Sequence, residues 1–226
     1  MKRKYYEAYD DRYQQIHSQN LQWFYDDPTP IVAEMMNAFG IGSNHNVLEL
    51  GCGEGRDAYP LLKQGYHLLA TDISPAAIAY AKKKFPHYSS NFAVLDCVTG
   101  KLPDRFDFIY AVAVLHMLVE NSDRDAFYAF VRDHLKPEGI ALICTMGDGE
   151  SERQTDVSTA FELQKRTHEQ SGREVHIAST SCRMVNFETL HIELQRNGLS
   201  VVKKGITYAP PDFPMLMYAV IKEQCR

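Results

Sequence analysis

Three glycines and a set of spaced acids carry the first chemical signal in this chain of 226 residues. The run Glu49-Leu50-Gly51-Cys52-Gly53-Glu54-Gly55 follows a short apolar stretch, NVLEL. Glycines at such a place let the backbone turn sharply and approach a ligand closely, and a helix behind them aims free N–H groups at it. Asp72 ends a second apolar run, twenty-one residues after Gly51. An acid there is placed to accept hydrogen bonds from ribose hydroxyls. Asp96 ends a third run, where an acid is placed to accept from the exocyclic amine of an adenine. Ligands of open parallel sheets bind at the carboxyl ends of the strands, and Glu49, Asp72, Asp96 and Ala111 all fall near such ends.

The elements that position these residues follow from periodicity and punctuation. Strands are expected at 46–50, 68–72, 92–95, 106–114 and 140–145, separated by helices at 55–64, from Ser74-Pro75 through Ala81, and at 123–135. Thr29-Pro30 and Ser74-Pro75 read as helix starts with a hydroxyl N-cap and proline in the first turn. Strands alternating with helices imply parallel pairing and right-handed crossovers, hence a doubly wound sheet. After residue 146 the alternation breaks. Residues 147–186 are mostly polar, with one helix expected at 157–170, and read as an insertion. A helix at 187–197 precedes two last strands, 199–208 and 215–222. The short loop between them, with Pro210, Pro211 and Pro214, leaves no room for a crossover, so the pair must be antiparallel.

Composition narrows the function. The net charge is −5, which gives no general attraction to nucleic acid or to an anionic membrane. Lys82-Lys83-Lys84 is the one dense basic cluster and reads as a solvated helix face. Cys52, Cys97, Cys144, Cys182 and Cys225 are far apart and odd in number, which suggests neither a disulfide framework nor a zinc site; no metal is expected. The N-terminus has no apolar h-region and no run reaches membrane-spanning length, so the expectation is a cytoplasmic protein.

The segments VLELGCGEGRD, ATDIS, VLDC, FDFIYAVAVLHML and LKPEGIALI, in that order, resemble the motifs of class I S-adenosylmethionine (SAM)-dependent methyltransferases, in particular the broad small-molecule group. The resemblance covers residues 46–146. It implies an α/β fold: a Rossmann-like, seven-stranded, mostly parallel sheet with an antiparallel C-terminal strand and helices on both faces. It also implies SAM as cofactor and S-adenosylhomocysteine as product. By resemblance Gly51, Gly53 and Gly55 cradle the methionine part, and Glu49 orients the loop or reaches the amino group through water. Cys52 belongs to the same loop. Asp72 binds the ribose, Ile73 packs on the adenine, Asp96 and the Cys97 N–H read its edge, and the Ala111 carbonyl lies near the amino group. The stretch Cys97–Leu102 departs from the family pattern, and residues 147–186 have no counterpart from which to inherit specificity.

The whole chain reads as one domain: an N-terminal helical cap (1–45), a SAM-binding core (46–146), an inserted cap (147–186), and a C-terminal helix with hairpin (187–226). Residues 1–28 and 147–186 both adjoin the cofactor end of the sheet and are expected to enclose a small-molecule acceptor. Tyr5, Tyr13, Trp23 and Phe24 are the candidates for that enclosure, since aromatic faces favour a sulfonium. The donor is already activated, so the protein must mainly align acceptor, methyl and sulfur. His116 is the candidate base should the acceptor need to lose a proton; the other reading is a packed histidine. Nitrogen, oxygen, sulfur and carbon acceptors, monomer and homodimer, all stay open. A nicotinamide dehydrogenase would need Gly or Ala where Arg56 stands, and a non-catalytic SAM-binding module is the remaining alternative.

Overall fold

The computed structural model describes residues 3–209, 211 and 213–224; Pro210 and Cys225 lie outside the described residues. In chain order the elements are α1 (Ala8–His17), α2 (Pro30–Ala38), β1 (Asn46–Leu50), α3 (Ala58–Lys63), β2 (His67–Asp72), α4 (Pro75–Lys84), β3 (Phe92–Val94), β4 (Phe106–Val112), α5 (Asn121–His134) and β5 (Leu135–Met146). Then come β6 (Arg153–Gln154), β7 (Leu163–Thr167), β8 (Glu174–Ala178), β9 (Arg183–Met184), α6 (Phe187–Arg196), β10 (Leu199–Ala209) and β11 (Phe213–Glu223). Seven strands form one sheet in the order β10-β11-β5-β4-β1-β2-β3. β1 to β5 pair in parallel, and β11 is antiparallel to both of its neighbours.

Burial on both faces explains why these strands are nearly continuous apolar runs. Phe108, Tyr110 and Val112 of β4 face one core, with Ile31, Val32, Met35 and Met36 of α2. Phe106, Ile109 and Ala111 face the other, with Phe127 and Val131 of α5 and Leu190 and Leu194 of α6. α2 therefore belongs to the packed core. β5 carries an irregularity near its start: Glu138 takes φ +64° and the β4–β5 register shifts beside it.

Two expectations fail here. The helix at 157–170 is absent: a single turn at Val157–Thr159 leads into β7, which pairs antiparallel with β8. Val175 and Ile177 alternate on β8 and bury themselves against Ile16 of α1, flanked by Leu21 and Trp23. That period-two pattern needs a partner strand, and β7 is too polar to hold a helix against anything. Thr29 precedes α2 but its side chain does not cap it. Its hydroxyl donates to Asp57 Oδ2 at 3.0 Å instead, tying the start of α2 to the start of α3. Ser74 caps α4 as expected, accepting from the Ala77 N–H at 3.0 Å.

α1 joins the core to the insertion. Asp10 accepts from Ser74 Oγ and the Ala76 N–H, at 2.6 and 3.1 Å, at the start of α4. On its other side Arg12 and Gln15 bind the backbone of 178–179, and Tyr9 donates to the Ser181 carbonyl at 3.1 Å. His168 closes the contact, its Nε2 lying 2.6 Å from the Gln22 carbonyl oxygen.

Candidate functional site

The carboxyl ends of β1, β2 and β4 surround a narrow cavity of about 70 Å³, lined by Glu49, Gly51, Cys52, Gly53, Asp72, Ile73, Asp96 and Cys97 among others. The loop after β1 is shaped by its glycines. Gly51 takes φ +75°, and a Cβ there would lie 2.2 Å from Val114 Cγ2. Gly53 takes φ +52°, and a Cβ there would lie 2.5 Å from the Tyr13 hydroxyl. Only glycine satisfies both the backbone and the approach. The N–H of Gly51 and that of Cys52 both donate to the Thr71 carbonyl, at 2.7 and 2.8 Å, which stitches the loop to β2.

Asp72 completes the tether. Its Oδ2 accepts from the Gly53 N–H at 2.8 Å and its Oδ1 from the Ser74 N–H at 2.8 Å. Burial pushes this carboxyl up to about 6, while the two backbone bonds oppose the rise. Glu49 is 2% exposed, and its Oε2 has no hydrogen-bond partner. Burial and then the charge of Asp57 hold its carboxyl well above the ordinary range. Asp96 accepts from the Val98 N–H at 2.8 Å and the Thr99 hydroxyl at 2.7 Å, and more weakly from Tyr6 Oη at 3.4 Å. Glu54, one residue past Gly53, accepts from the Trp23 and Phe24 N–H groups at 2.8 and 3.1 Å and lies 2.7 Å from His17 Nε2. It fixes the aromatic pair beside the cavity.

Not every expected residue arrives there. Gly55 stands behind the loop, where a Cβ would meet Phe85 and Phe92 at 3.0–3.1 Å; it allows packing and does not line the cavity. Ala111 is buried in the α5–α6 core, and Ala113, two residues on, takes the lining position. Ala113 is a non-glycine residue at φ +58°, and its N–H donates to the Cys144 carbonyl at 2.9 Å. Strain of that kind costs ~1–3 kcal/mol and collects at functional sites. Tyr13 and Phe24 line the cavity, but Tyr5 does not: its hydroxyl accepts from the Val119 and Glu120 N–H groups at 2.9 and 3.0 Å.

A second, wider cavity of about 730 Å³ opens between the sheet, α1 and the β7–β8 hairpin. Tyr9, Phe24, Ala113, Met117 and Phe213 line both spaces and form the neck between them. Trp23 and His116 face this outer cavity. His116 sits in the buried turn Leu115–Met117, 4% exposed, with Nδ1 unpartnered. Burial, then the cations Arg12 and Arg124, push its imidazole down to about 3, so it is neutral and a weak base. Asp148 also reaches this cavity, but its carboxylate is taken up by Ser151 and the Glu150 N–H, while Glu150 and His176 are exposed.

Sequence reasoning missed Arg12, Glu54 and Ala113. Arg12 had one legible signal: it lies between Ala8 and Ile16 on the buried stripe of α1. The spacing of Ala113 carries no such mark, because its role comes from the bend that ends β4. Among the described residues no helix is long and apolar enough to cross a membrane, and Cys52, Cys97, Cys144 and Cys182 are free thiols.

Residues 48–141 match a family model described as a methyltransferase domain. A ubiquinone biosynthesis O-methyltransferase of Rickettsia conorii is 30% identical over 125 residues, which are 52% of this chain and 40% of the relative. The chain spans less than half the length of the curated relatives it matches first. Among solved structures, a Burkholderia thailandensis 1,6-didemethyltoxoflavin-N1-methyltransferase with bound 1,6-didemethyltoxoflavin and S-adenosylhomocysteine aligns with TM-score 0.70 and 16% identity. That alignment covers 100% of this chain and 92% of the other. The CcbJ methyltransferase from Streptomyces caelestis aligns with TM-score 0.69 and 15% identity, covering 96% and 98%.

Proposed function

We propose that the chain is a class I SAM-dependent methyltransferase, which binds SAM in the inner cavity and methylates a small molecule held in the outer one. The observation that carries this reading is the neck. The acid-and-glycine cavity at the strand ends opens through Tyr9, Phe24, Ala113, Met117 and Phe213 into a space of about 730 Å³ under the hairpin.

The residues present suit the cofactor. Gly51 and Gly53 leave a cradle that a Cβ would fill, and Glu49 Oε2 is a buried acceptor that an ammonium group satisfies. Asp72 holds the loop with one lone pair of each oxygen and keeps the others for ribose hydroxyls. Ile73, Asp96 and Cys97 line the same cavity, where Ile73 would pack on the base and Asp96 with the Cys97 N–H would read its edge. Tyr6 and Tyr13 narrow the inner cavity, so their rings must swing aside to admit a nucleoside. The Tyr13 hydroxyl makes no hydrogen bond in the described chain and is free to donate to the methionine carboxylate.

Bound there, SAM would supply an activated methyl group on a positively charged sulfur and would be released as S-adenosylhomocysteine. The chain's own part is alignment and exclusion of water. The neck holds no free base: the Tyr9 phenol donates to Ser181, and burial raises it further. His116 stays neutral. The acceptor therefore attacks in its deprotonated form, or releases its proton to water in the outer cavity. Net charge −5 and enclosure by α1 and the hairpin favour a small acceptor over nucleic acid. Calorimetry with S-adenosylhomocysteine, followed by a SAM turnover assay over a small-molecule panel, tests the proposal. A folded protein with no affinity for S-adenosylhomocysteine overturns it.

A further inference from the structure

The outer cavity contains a buried cation without a counter-charge. Arg12 is 7% exposed, yet it makes no ion pair with a described residue. Nε and Nη2 donate to the Ala178 and Ser179 carbonyls and to Thr180 Oγ1, all neutral groups, at 2.7–3.2 Å. Nη1 has no described hydrogen-bond partner. The guanidinium lies 5.2 Å from the Tyr9 ring centroid and 5.1 Å from that of Trp23, and faces the cavity between them. Neutral donors would serve the same carbonyls, so the structural role does not account for the charge. Arg166, on β7, faces the same cavity, close enough to act on both Arg12 and Tyr9, and it too lacks an ion pair. His116 adds a buried, unpartnered Nδ1 to the same wall. Two acids also border the space. Asp148 is engaged by its own turn, and Glu169 stands exposed at the hairpin tip.

Buried cations without partners are costly, and two arginines sharing one wall repel each other. A planar anion relieves both costs, because a guanidinium fork matches a carboxylate. Aromatic rings from Trp23, Phe24 and Phe213 line the way from this wall to the neck. We propose that the acceptor is an aromatic carboxylate whose anionic group seats against Arg12 and Arg166 while its ring lies among these side chains. This rests on the methyl-transfer reading of the same cavity. It fixes which end of the acceptor points away from the methyl donor.

The test uses benzoate and 2-naphthoate against the isosteric neutral benzamide and 2-naphthamide, titrated by calorimetry into the full chain. Titrations run with and without saturating S-adenosylhomocysteine. The carboxylates are expected to bind at least tenfold more tightly than the amides. Arg12 also fastens α1 to β8, so the variant of choice is Arg166→Gln on the exposed hairpin. It should weaken carboxylate binding five- to twentyfold and leave S-adenosylhomocysteine affinity unchanged. Lys165→Gln, which removes the neighbouring cation that pairs with Glu174, should change neither. Equal affinity for acids and amides overturns the proposal, as does an indifferent Arg166→Gln. So does the absence of carboxylate binding by a protein that still takes S-adenosylhomocysteine. Failure to bind S-adenosylhomocysteine refutes the methyl-transfer reading instead, and the titrations without it then decide the anion site separately.

Discussion

Asp72→Asn separates the two duties of the acid at the end of β2. The side chain is 8% exposed and bridges the Gly53 and Ser74 N–H groups, and its carboxyl is raised from the ordinary 3.8 to about 6. A raised carboxyl holds its proton more tightly in the folded chain than in the unfolded one. As pH climbs from about 4 to about 6 the unfolded chain releases that proton first, so stability falls across this window. A gap of about two pH units at ~1.4 kcal/mol each makes the fall ~3 kcal/mol. Asparagine has no such proton, so the stability of wild type relative to Asp72→Asn should drop by ~3 kcal/mol between pH 4 and pH 7 in urea unfolding. Binding should run the other way. Ribose hydroxyls donate best to the ionised carboxylate, so wild-type affinity for S-adenosylhomocysteine should rise as pH passes through about 6. At pH 8 the variant loses a charged acceptor worth ~1.5–3 kcal/mol, a roughly 10- to 150-fold weaker Kd by calorimetry. Parallel stability profiles for the two proteins, or equal affinities at pH 8, would refute the reasoning.

Gly53→Val places a branched Cβ at φ +52° against the Tyr13 hydroxyl, and should abolish S-adenosylhomocysteine binding while circular dichroism still reports the fold. Tyr13→Phe removes a hydroxyl without a described partner; Tm should stay within ~1 °C and S-adenosylhomocysteine affinity should fall about 3- to 10-fold, and an unchanged affinity would remove Tyr13 from the site. His116→Gln should leave the pH profile of turnover unchanged from pH 5.5 to 8.5, because the imidazole is already neutral there; a lost basic limb would restore it as the base. Glu193→Leu strips the buried Arg124 of its partner, 2.6 Å away, and should cost ~3–5 kcal/mol, read as a Tm lowered by roughly 10 °C.

The core elements and the cavity at the carboxyl end of the sheet were legible in the chain itself. Each depends on local rules: apolar runs buried on both faces, glycines where a strand turns into a helix, and acids at the ends of β2 and β3. The antiparallel last pair was equally readable, because the loop at 209–214 is too short for a crossover. The insertion was not. Residues 157–170 read locally as helix, but Val175 and Ile177 of β8 had to be covered by α1, and that long-range burial decided for a hairpin. Ala111 and Gly55 stand where the motif puts them in sequence, but Ala111 packs into the α5–α6 core and Gly55 lies behind the loop against Phe85 and Phe92, contacts that only the folded chain creates. His116 looked like a base from its type alone; its protonation is set by burial and by Arg12 and Arg124, which only the folded chain brings to it. The outer cavity likewise exists only because α1, the hairpin and the end of β4 meet, drawing Arg12 and Arg166 from parts of the chain more than 150 residues apart. Local sequence sets elements and turns, whereas charge environment and enclosed volume are properties of what the fold packs around them.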